Sequence, residues 1–369
     1  MPFPIRPNIR RMTPYVPGKP ISEVQRELGL EKVVKLASNE NPLGPSPLAI
    51  QAVKQAADSM HIYPDASGFA LREKLAQKHG LNKNNIFLGN GSDELIHMLG
   101  CLFLAPGDNL VVADPTFVRY HAAAELADVE IRKVPLDKDL RHDLPAMASA
   151  CDERTKLIFV ANPHNPTGTV VSKSEINQLI ESLPSGTTLV LDEAYFEYAS
   201  DLPDFPSGID YVKTGKQVIC LRTFSKSYGL AGIRIGYGFA AAELVDAFDR
   251  AREPFNANSL AQVAALAALD DENHLAESRK VNRDGLKRIT EAMAQHGLKT
   301  IPSHANFICI DLGQPAKPVF EALLQKGVIV RTGEPLGLPT FIRVSIGTPD
   351  EVSEFLTAFE SIRPIQAEV

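Results

Sequence analysis

The stretch that decides the fold is Leu221–Gly236, which reads Leu-Arg-Thr-Phe-Ser-Lys-Ser-Tyr-Gly-Leu-Ala-Gly-Ile-Arg-Ile-Gly. It places Lys226 just beyond the apolar run Val218–Leu221, which is typical of a buried strand. The hydroxyl and cationic neighbours of this lysine are Thr223, Ser225, Ser227 and Arg234. A lysine amine in such a position can attack a carbonyl, and hydroxyls with a guanidinium suit a phosphate monoester. A surface lysine in a loop is the alternative, which the glycines at 229 and 232 disfavour because they indicate tight packing.

Residues 86–239 alternate short apolar runs with amphipathic segments. The predicted strands are Ile86–Leu88, Asn109–Ala113, Leu157–Ala161, Thr188–Leu191, Val218–Leu221 and Ile233–Phe239. The predicted helices among them include Glu94–Leu104, Val118–Ala127 and Ser174–Leu183. Continuous apolar strands that alternate with helices indicate an α/β fold, with a mostly parallel sheet sandwiched by helices.

The sequence predicts three parts. Residues 1–45 are rich in Pro and Gly and predict an N-terminal arm with little regular structure. Residues 46–270 predict a large domain that contains the sheet and carries the ligand site. Residues 271–369 begin with a long helical segment and then alternate strand-like and helical stretches, which predicts a smaller α+β domain that packs with the arm.

Ligands in open α/β sheets bind at the carboxyl ends of the strands, so the residues after each predicted strand are candidates. Gly89–Glu94 would open a helix that can bind an anion, although a tight turn also explains it. Asn162–Gly168 would form a rigid loop that points Asn165 to the sheet edge, or only a rigid turn. Asp192 ends an apolar strand, as the acid of a nucleotide hydrolase does, but the Gly-Lys-[Ser/Thr] phosphate loop of that class is missing.

Together these stretches supply an anion site, a buried aspartate, an amide, a phenol and a lysine with phosphate-binding neighbours. Pyridoxal 5′-phosphate requires that set: an amine to bond its carbonyl, an acid for its ring nitrogen, donors for its ring oxygen and a phosphate site. The sequence therefore predicts a pyridoxal-phosphate enzyme.

The composition of the chain excludes some classes of partner and location. The chain has 38 Lys and Arg against 45 Asp and Glu, a net charge of −7, which disfavours nucleic acid as the main partner. No apolar run approaches the length of a membrane span, and the amino terminus lacks the apolar stretch of a secretory signal. The four cysteines form no CxxC pair and no His/Cys cluster has metal spacing, so we expect buried free thiols, no metal and a cytoplasmic protein.

Several stretches resemble one known family. Thr223–Gly232, Asn165–Gly168 and Asp192–Tyr195 match class II pyridoxal-phosphate-dependent aminotransferases, which have fold type I. Within that family the chain resembles the histidinol-phosphate aminotransferase group, and the stretches that carry this likeness are Thr13–Pro20, Leu36–Pro42, Tyr63–Asp65, Val328–Arg331 and Ile342–Gly347.

The resemblance implies a role for each site residue. Lys226 would bond the cofactor and shuttle the proton, and Asp192 would pair with the ring nitrogen. Tyr195 and Asn165 would bind the ring oxygen, and Phe117 would stack on the ring. The implied phosphate ligands are Ser92, Asp93, Thr223, Ser225 and Arg234, together with Tyr63 from the partner subunit of a homodimer. The implied ligands of the anionic end of the substrate are Tyr15, Arg331 and Arg343, with Asn165 also lining that subsite.

The implied reaction is transamination of L-histidinol phosphate with 2-oxoglutarate, in histidine biosynthesis. The alternatives are an aromatic amino-acid aminotransferase and, more distantly, a phosphothreonine decarboxylase. A cofactor-sensing transcription regulator would need a winged-helix domain, for which there is no room before Tyr15. Two departures from the family pattern, His164 and Phe117, are expected to bear on substrate preference.

Overall fold

The structure is a computed structural model of the chain and describes residues 3–14 and 18–362. The helices in these ranges are α1 (Pro7–Arg11), α2 (Ile21–Leu28), α3 (Pro47–Ala56), α4 (Phe69–His79), α5 (Ser92–Phe103), α6 (Val118–Ala127), α7 (Leu144–Ser149), α8 (Lys173–Ser182), α9 (Phe196–Ala199), α10 (Gly208–Lys213), α11 (Ala242–Ala251), α12 (Ser259–Ala268), α13 (Glu272–Gln295), α14 (Ala316–Gln325) and α15 (Pro349–Ser361). The strands are β1 (Val34–Lys35), β2 (Ile86–Gly89), β3 (Asn109–Asp114), β4 (Glu130–Pro135), β5 (Thr155–Ala161), β6 (Thr188–Asp192), β7 (Val218–Thr223), β8 (Gly236–Phe239), β9 (Lys299–Thr300), β10 (Phe307–Asp311), β11 (Val328–Ile329), β12 (Arg331–Thr332) and β13 (Phe341–Ser345). Short 3-10 turns cover Ala57–Ser59, Lys83–Asn85, Ala231–Ile233 and Glu334–Leu336.

The central sheet has seven strands in the order β2-β8-β7-β6-β5-β3-β4. Strand β8 runs antiparallel to both of its neighbours, and the other pairs are parallel. The predicted α/β class with a mostly parallel sheet is confirmed.

Helices cover both faces of this sheet, which explains its uninterrupted apolar strands. Along β5, Leu157 and Phe159 pack into the core that includes α5 and α6. The alternate residues Ile158 and Val160 pack into the core that includes α7 and α8. Since successive side chains point to opposite faces, a strand buried on both sides needs apolar residues at every position.

Two strands of the sheet differ from the sequence prediction. Strand β4 was not predicted, because Glu130–Pro135 lies at the sheet edge with only one buried residue and so carries no apolar run. Strand β8 begins at Gly236 and not at Ile233, because Ala231–Ile233 forms a 3-10 turn and Arg234 has a left-handed backbone with φ of +62°.

The first 45 residues contain more regular structure than predicted: α1, α2 and β1. Helix α1 lies against the end of α6, where the Asn8 side chain donates to the carbonyls of Glu125 and Leu126 at 2.8 and 3.2 Å. Strand β1 pairs in parallel with β11, so Val34 and Lys35 join residues near the other end of the chain.

A second, antiparallel sheet has the order β12-β13-β10-β9 and packs on α13, α14 and α15. Its register pairs Arg331 directly with Arg343. The predicted division of the chain at residues 45/46 and 270/271 stays a prediction.

Two further expectations concern cysteines and membranes. Cys220 and Cys309 are buried and Cys151 is partly buried, but Cys101 is exposed on α5, so the expectation of buried thiols was wrong there. None of the helices within residues 3–14 and 18–362 combines the length and apolar character that a membrane span requires.

Candidate active site

The carboxyl ends of five strands meet at one edge of the central sheet. Strands β3, β5, β6 and β7 run parallel, and β2 shares their direction because both it and β7 are antiparallel to β8. The register places Ala161 beside Asp192 and Asp192 beside Leu221. The loops that follow these strands therefore open on a common space.

That space is a cavity of about 490 Å³ between the central sheet and residues of the second sheet. It brings together the predicted residues Ser92, Asp93, Phe117, Asn165, Asp192, Tyr195, Thr223, Ser225, Lys226, Arg234, Arg331 and Arg343. Tyr63 lies outside it, exposed and stacked on Phe255 with ring centroids 4.7 Å apart. Tyr15 falls outside the described residues.

Lys226 and Tyr195 face each other in this cavity. The Nζ of Lys226 lies 5.7 Å from the centroid of the Tyr195 ring and donates to the carbonyl of Ser38 at 3.4 Å. The Tyr195 hydroxyl accepts from Nδ2 of Asn39 at 3.0 Å, and Asn39 Oδ1 accepts from the Ser345 hydroxyl at 2.8 Å. The phenol is thus held in place by residues from the arm and the second sheet.

Arg343 sets the orientation of the Asn165 amide. Its Nη1 donates to Asn165 Oδ1 at 2.8 Å, so the amide must turn Nδ2 to the other side. That Nδ2 lies 3.5 Å from the Tyr195 hydroxyl. An amide N–H and a phenol O–H therefore sit next to each other, an arrangement that can bind one anionic oxygen.

Asp192 is nearly enclosed, with 4% of its surface exposed. Oδ2 accepts from the Tyr120 hydroxyl at 2.8 Å and Oδ1 from the backbone N–H of Ala194 at 3.1 Å. Burial raises the pKa of Asp192 to about 6, and these two hydrogen bonds oppose the rise. A carboxylate in such a place favours a cationic partner, which would restore its charged form.

The other end of the cavity is built to let backbone approach an anion. Gly91, with φ of +76°, precedes Ser92 at the start of α5, where N–H groups are unpaired. A Cβ added to Gly236 would lie 2.5 Å from the Ser92 nitrogen, so only glycine fits there. Thr223 and Ser225 hydroxyls lie 3.0 Å apart, and Arg234 Nη2 lies 3.5 Å from Asp93. These groups form a site suited to a phosphate.

Two residues of the site, Tyr120 and Asn39, were not predicted from the sequence. Tyr120 lies within α6, three residues after Phe117, and in the sequence it reads as an ordinary core position. Asn39 lies in a Pro-rich segment, and only the family likeness of Leu36–Pro42 drew attention to it. Both have partners far away in the chain, so no local pattern could have assigned them.

The two departures from the family pattern have different surroundings. Phe117 lines the cavity. His164 is fully buried and does not line the cavity; its Nδ1 lies 2.8 Å from the Thr167 hydroxyl, and its ring lies 4.3 Å from that of His142. Burial and the neighbouring His142 hold the pKa of His164 well below its usual value. His164 can therefore affect substrate only through the loop that carries Asn165.

Comparison with known proteins defines the class. The profile of the family described as "Aminotransferase class I and II" matches residues 31–359. The chain belongs to this family, and it is an aminotransferase of the pyridoxal-phosphate-dependent kind, as the sequence predicts.

Within this family, the chain is similar to histidinol-phosphate aminotransferases. A histidinol-phosphate aminotransferase of Moorella thermoacetica is 50% identical over 97% of this chain and 92% of its own length. A histidinol-phosphate aminotransferase 2 of Pseudomonas fluorescens is 45% identical, over 97% and 96%. The crystal structure of the Sinorhizobium meliloti histidinol-phosphate aminotransferase, in complex with pyridoxal-5′-phosphate, superposes with a TM-score of 0.90 at 30% identity, covering 99% of both chains. The predicted resemblance to this group is confirmed.

The residues of the cavity fit the cofactor that the family implies. Buried Asp192, with its raised pKa, suits a protonated ring nitrogen. The N–H groups at the start of α5, the Thr223 and Ser225 hydroxyls and the Arg234 guanidinium suit a phosphate. The cavity volume of about 490 Å³ leaves room for a small ligand.

Proposed function

We propose that the protein transaminates L-histidinol phosphate with 2-oxoglutarate, giving imidazole-acetol phosphate and L-glutamate, as a cytoplasmic enzyme of histidine biosynthesis. The relatives named above support the substrate. The structural observation that carries the proposal is the pairing of Arg331 with Arg343 in the cavity that holds Lys226. Both guanidiniums line the cavity, and a guanidinium binds a carboxylate or phosphate through paired hydrogen bonds, so the cavity favours an anionic ligand.

We propose the following holders of the cofactor. Lys226 anchors it, Asp192 contacts its ring nitrogen, and Tyr195 with Asn165 contacts its ring oxygen. Phe117 packs on its ring. The phosphate ligands are Ser92, Asp93, Thr223, Ser225 and Arg234, with the partner's copy of Tyr63.

Each residue then has a chemical task. Bound pyridoxal phosphate supplies a carbonyl for amines and a ring that accepts the electron pair left at the substrate Cα. Lys226 Nζ takes the Cα proton and later returns it, as a general base and then an acid. The Asp192 carboxylate keeps the proton on the ring nitrogen, and Tyr195 and Asn165 stabilise charge on the ring oxygen.

Two substrates must use the same site in turn. L-Histidinol phosphate carries a phosphate, and 2-oxoglutarate carries a second carboxylate at the corresponding end. A guanidinium binds either anion through two parallel hydrogen bonds, so Arg331 and Arg343 suit both. We propose that they bind the anionic end of each substrate, and that Tyr15 contributes as the sequence analysis predicts.

The proposal is tested by kcat/KM for four amines with 2-oxoglutarate or pyruvate as acceptor: L-histidinol phosphate, phenylalanine, tyrosine and phosphothreonine. We expect histidinol phosphate to exceed the aromatic amino acids by about 100-fold or more, because a site built for a polar group rejects substrates that lack it. Equal or higher values for phenylalanine and tyrosine would make the enzyme an aromatic aminotransferase. Release of CO2 from phosphothreonine would make it a decarboxylase.

We also propose that the enzyme is a homodimer whose partner supplies Tyr63. Many of the large exposed apolar side chains come from residues 43–69, namely Leu43, Leu48, Ile50, Met60, Ile62, Tyr63 and Phe69. Phe255, also exposed, stacks on Tyr63. A patch of exposed apolar side chains marks an interaction surface. A second copy is the occupant we favour, since Tyr63 would then be covered and could reach the partner's phosphate site.

Mixed dimers test this arrangement. Tyr63→Ala and Lys226→Ala homodimers should each be impaired, the second almost fully. In a mixed dimer, one site combines an intact Lys226 with the intact Tyr63 of the other chain. We expect mixing and reassembly to restore activity toward about half of the wild-type value per mixed dimer. Activity that stays at the average of the two parents would place Tyr63 in its own chain's site, and light scattering at 40.2 kDa would exclude the dimer.

A further inference from the structure

Among the described residues, Tyr120 is the only one whose side chain donates a hydrogen bond to Asp192. Its hydroxyl donates to Asp192 Oδ2 at 2.8 Å. Its ring is fully buried, stacked on Phe159 at 4.5 Å between centroids and 17° between planes, with the edge of Phe117 at 5.7 Å. The aromatic packing fixes the ring, and the ring in turn fixes where the hydroxyl points.

We infer that Tyr120 is a positioning residue for Asp192, whose carboxylate it orients and keeps ionised toward the ring nitrogen of the cofactor. The inference rests on the proposed role of Asp192. It goes beyond that role because it names the residue that orients the Asp192 carboxylate. Tyr120 itself acts through Asp192, which accepts the hydrogen bond from its hydroxyl.

The hydrogen-bond pattern around the carboxylate supports this role. Oδ2 receives the Tyr120 hydroxyl and Oδ1 the N–H of Ala194 at 3.1 Å, so each oxygen has one donor from the protein. A carboxylate has about four lone-pair sites, so both oxygens can accept one more hydrogen bond. Because burial raises the pKa of Tyr120 well above its usual value, the phenol remains a donor throughout the working range of pH.

Two neighbouring carboxylates act against the ionisation of Asp192. The charges of Asp93, on the first turn of α5, and Glu193, next in the chain, raise its pKa, as burial does. Tyr195 follows on the same loop, and Lys226 lines the same cavity from the segment after β7. The hydroxyl of Tyr120 and the N–H of Ala194 are the hydrogen-bond donors that favour the charged carboxylate before a cofactor binds.

The variant Tyr120→Phe tests the inference, because it removes one oxygen and keeps the packed ring. We expect the dissociation constant of pyridoxal phosphate, measured by fluorescence titration of the full-length apoprotein, to rise about 10-fold. We expect kcat to fall by a similar factor, with a smaller change in KM. In an Asp192→Asn background the same substitution should change both quantities less than about 2-fold.

This double-mutant cycle separates positioning from general structure. Equal losses in both backgrounds would overturn the inference, because Tyr120 would then act independently of the carboxylate. Asp192→Asn with unchanged turnover and cofactor affinity would instead overturn the proposed role of Asp192. As a matched control, Tyr237→Phe removes a hydroxyl from another buried tyrosine, packed on Phe224 and Phe239, and should leave cofactor affinity within about 2-fold of wild type.

A second measurement needs no cofactor. Loss of the hydroxyl should raise the pKa of Asp192 further. The apoprotein loses stability as the pH rises up to this pKa, so in Tyr120→Phe the loss should continue to a pH about one unit higher than in wild type. Unfolding in urea from pH 4 to 8, compared between Tyr120→Phe and wild type, measures that shift. An unshifted curve, or a shift that persists in the Asp192→Asn background, would contradict the inference.

Discussion

Replacement of Lys226 by alanine is expected to reduce transamination at least about 1000-fold, because one amine both anchors the cofactor and moves the Cα proton. The fold should survive. The hydrogen bond from Lys226 Nζ to the Ser38 carbonyl, at 3.4 Å, is near the outer limit for such a bond, so its loss should cost little stability. The measurement is single-turnover and steady-state kinetics, together with borohydride reduction of the cofactor-treated protein followed by mass spectrometry.

Two controls sharpen this prediction. Lys216→Ala removes an exposed lysine just before β7 and should keep full turnover and the trapped adduct. Lys226→Arg keeps a cation at the same place but offers no amine that can release its proton, so it should be as inactive as the alanine variant. Full turnover in either Lys226 variant, or an adduct that moves to another lysine with activity retained, would contradict the assignment.

Much of this site was predictable because strand ends are visible in a sequence. Apolar runs such as Leu157–Ala161 and Val218–Leu221 mark strands, and in a parallel sheet their carboxyl ends meet at one edge. The residues that follow them, including Asn165, Asp192 and Lys226, were therefore expected to converge, and the cavity brings them together. Where the role of a residue follows from its place after a strand, that role can be predicted without knowledge of the tertiary structure.

The residues that support the site could not be found in the same way. Tyr120 and Asn39 make their contacts across 72 and 156 positions of the chain, and neither stands at the end of a predicted strand. Strand β4 has a polar sequence because it is an edge strand, so its pairing with β3 leaves no periodic signal. The turn before β8 depends on tertiary packing, so the pattern of apolar residues could not predict it either.

Asp192→Asn is expected to lower kcat about 100- to 1000-fold, the range typical for loss of one preorganised electrostatic contact at a reacting centre. The amide has the same shape and can still accept from the Tyr120 hydroxyl, so the loss reflects the missing charge. Cofactor affinity should fall as well. An exposed acid such as Asp139 provides the control, since Asp139→Asn should leave both quantities unchanged. Kinetics within 2-fold of wild type would remove Asp192 from the mechanism.

The same substitution should stabilise the protein when the cofactor is absent. Burial raises the pKa of Asp192 from 3.8 to about 6, so the folded state binds more protons than the unfolded state between these values. Asp192 therefore destabilises the folded apoprotein least below pH 4. The loss of unfolding free energy grows as the pH rises through 6 and reaches about 3 kcal/mol, which corresponds to a pKa shift of about two units. In urea unfolding of both apoproteins, the unfolding free energy of Asp192→Asn should therefore increasingly exceed that of wild type from pH 4 to 7. The other titrating groups are the same in both proteins, so their contributions cancel in this difference. Bound cofactor should reverse the order, because a protonated ring nitrogen favours the carboxylate that burial disfavours. A difference that stays constant with pH would show that Asp192 is already ionised in the apoprotein, and would make the cofactor unnecessary for its charge.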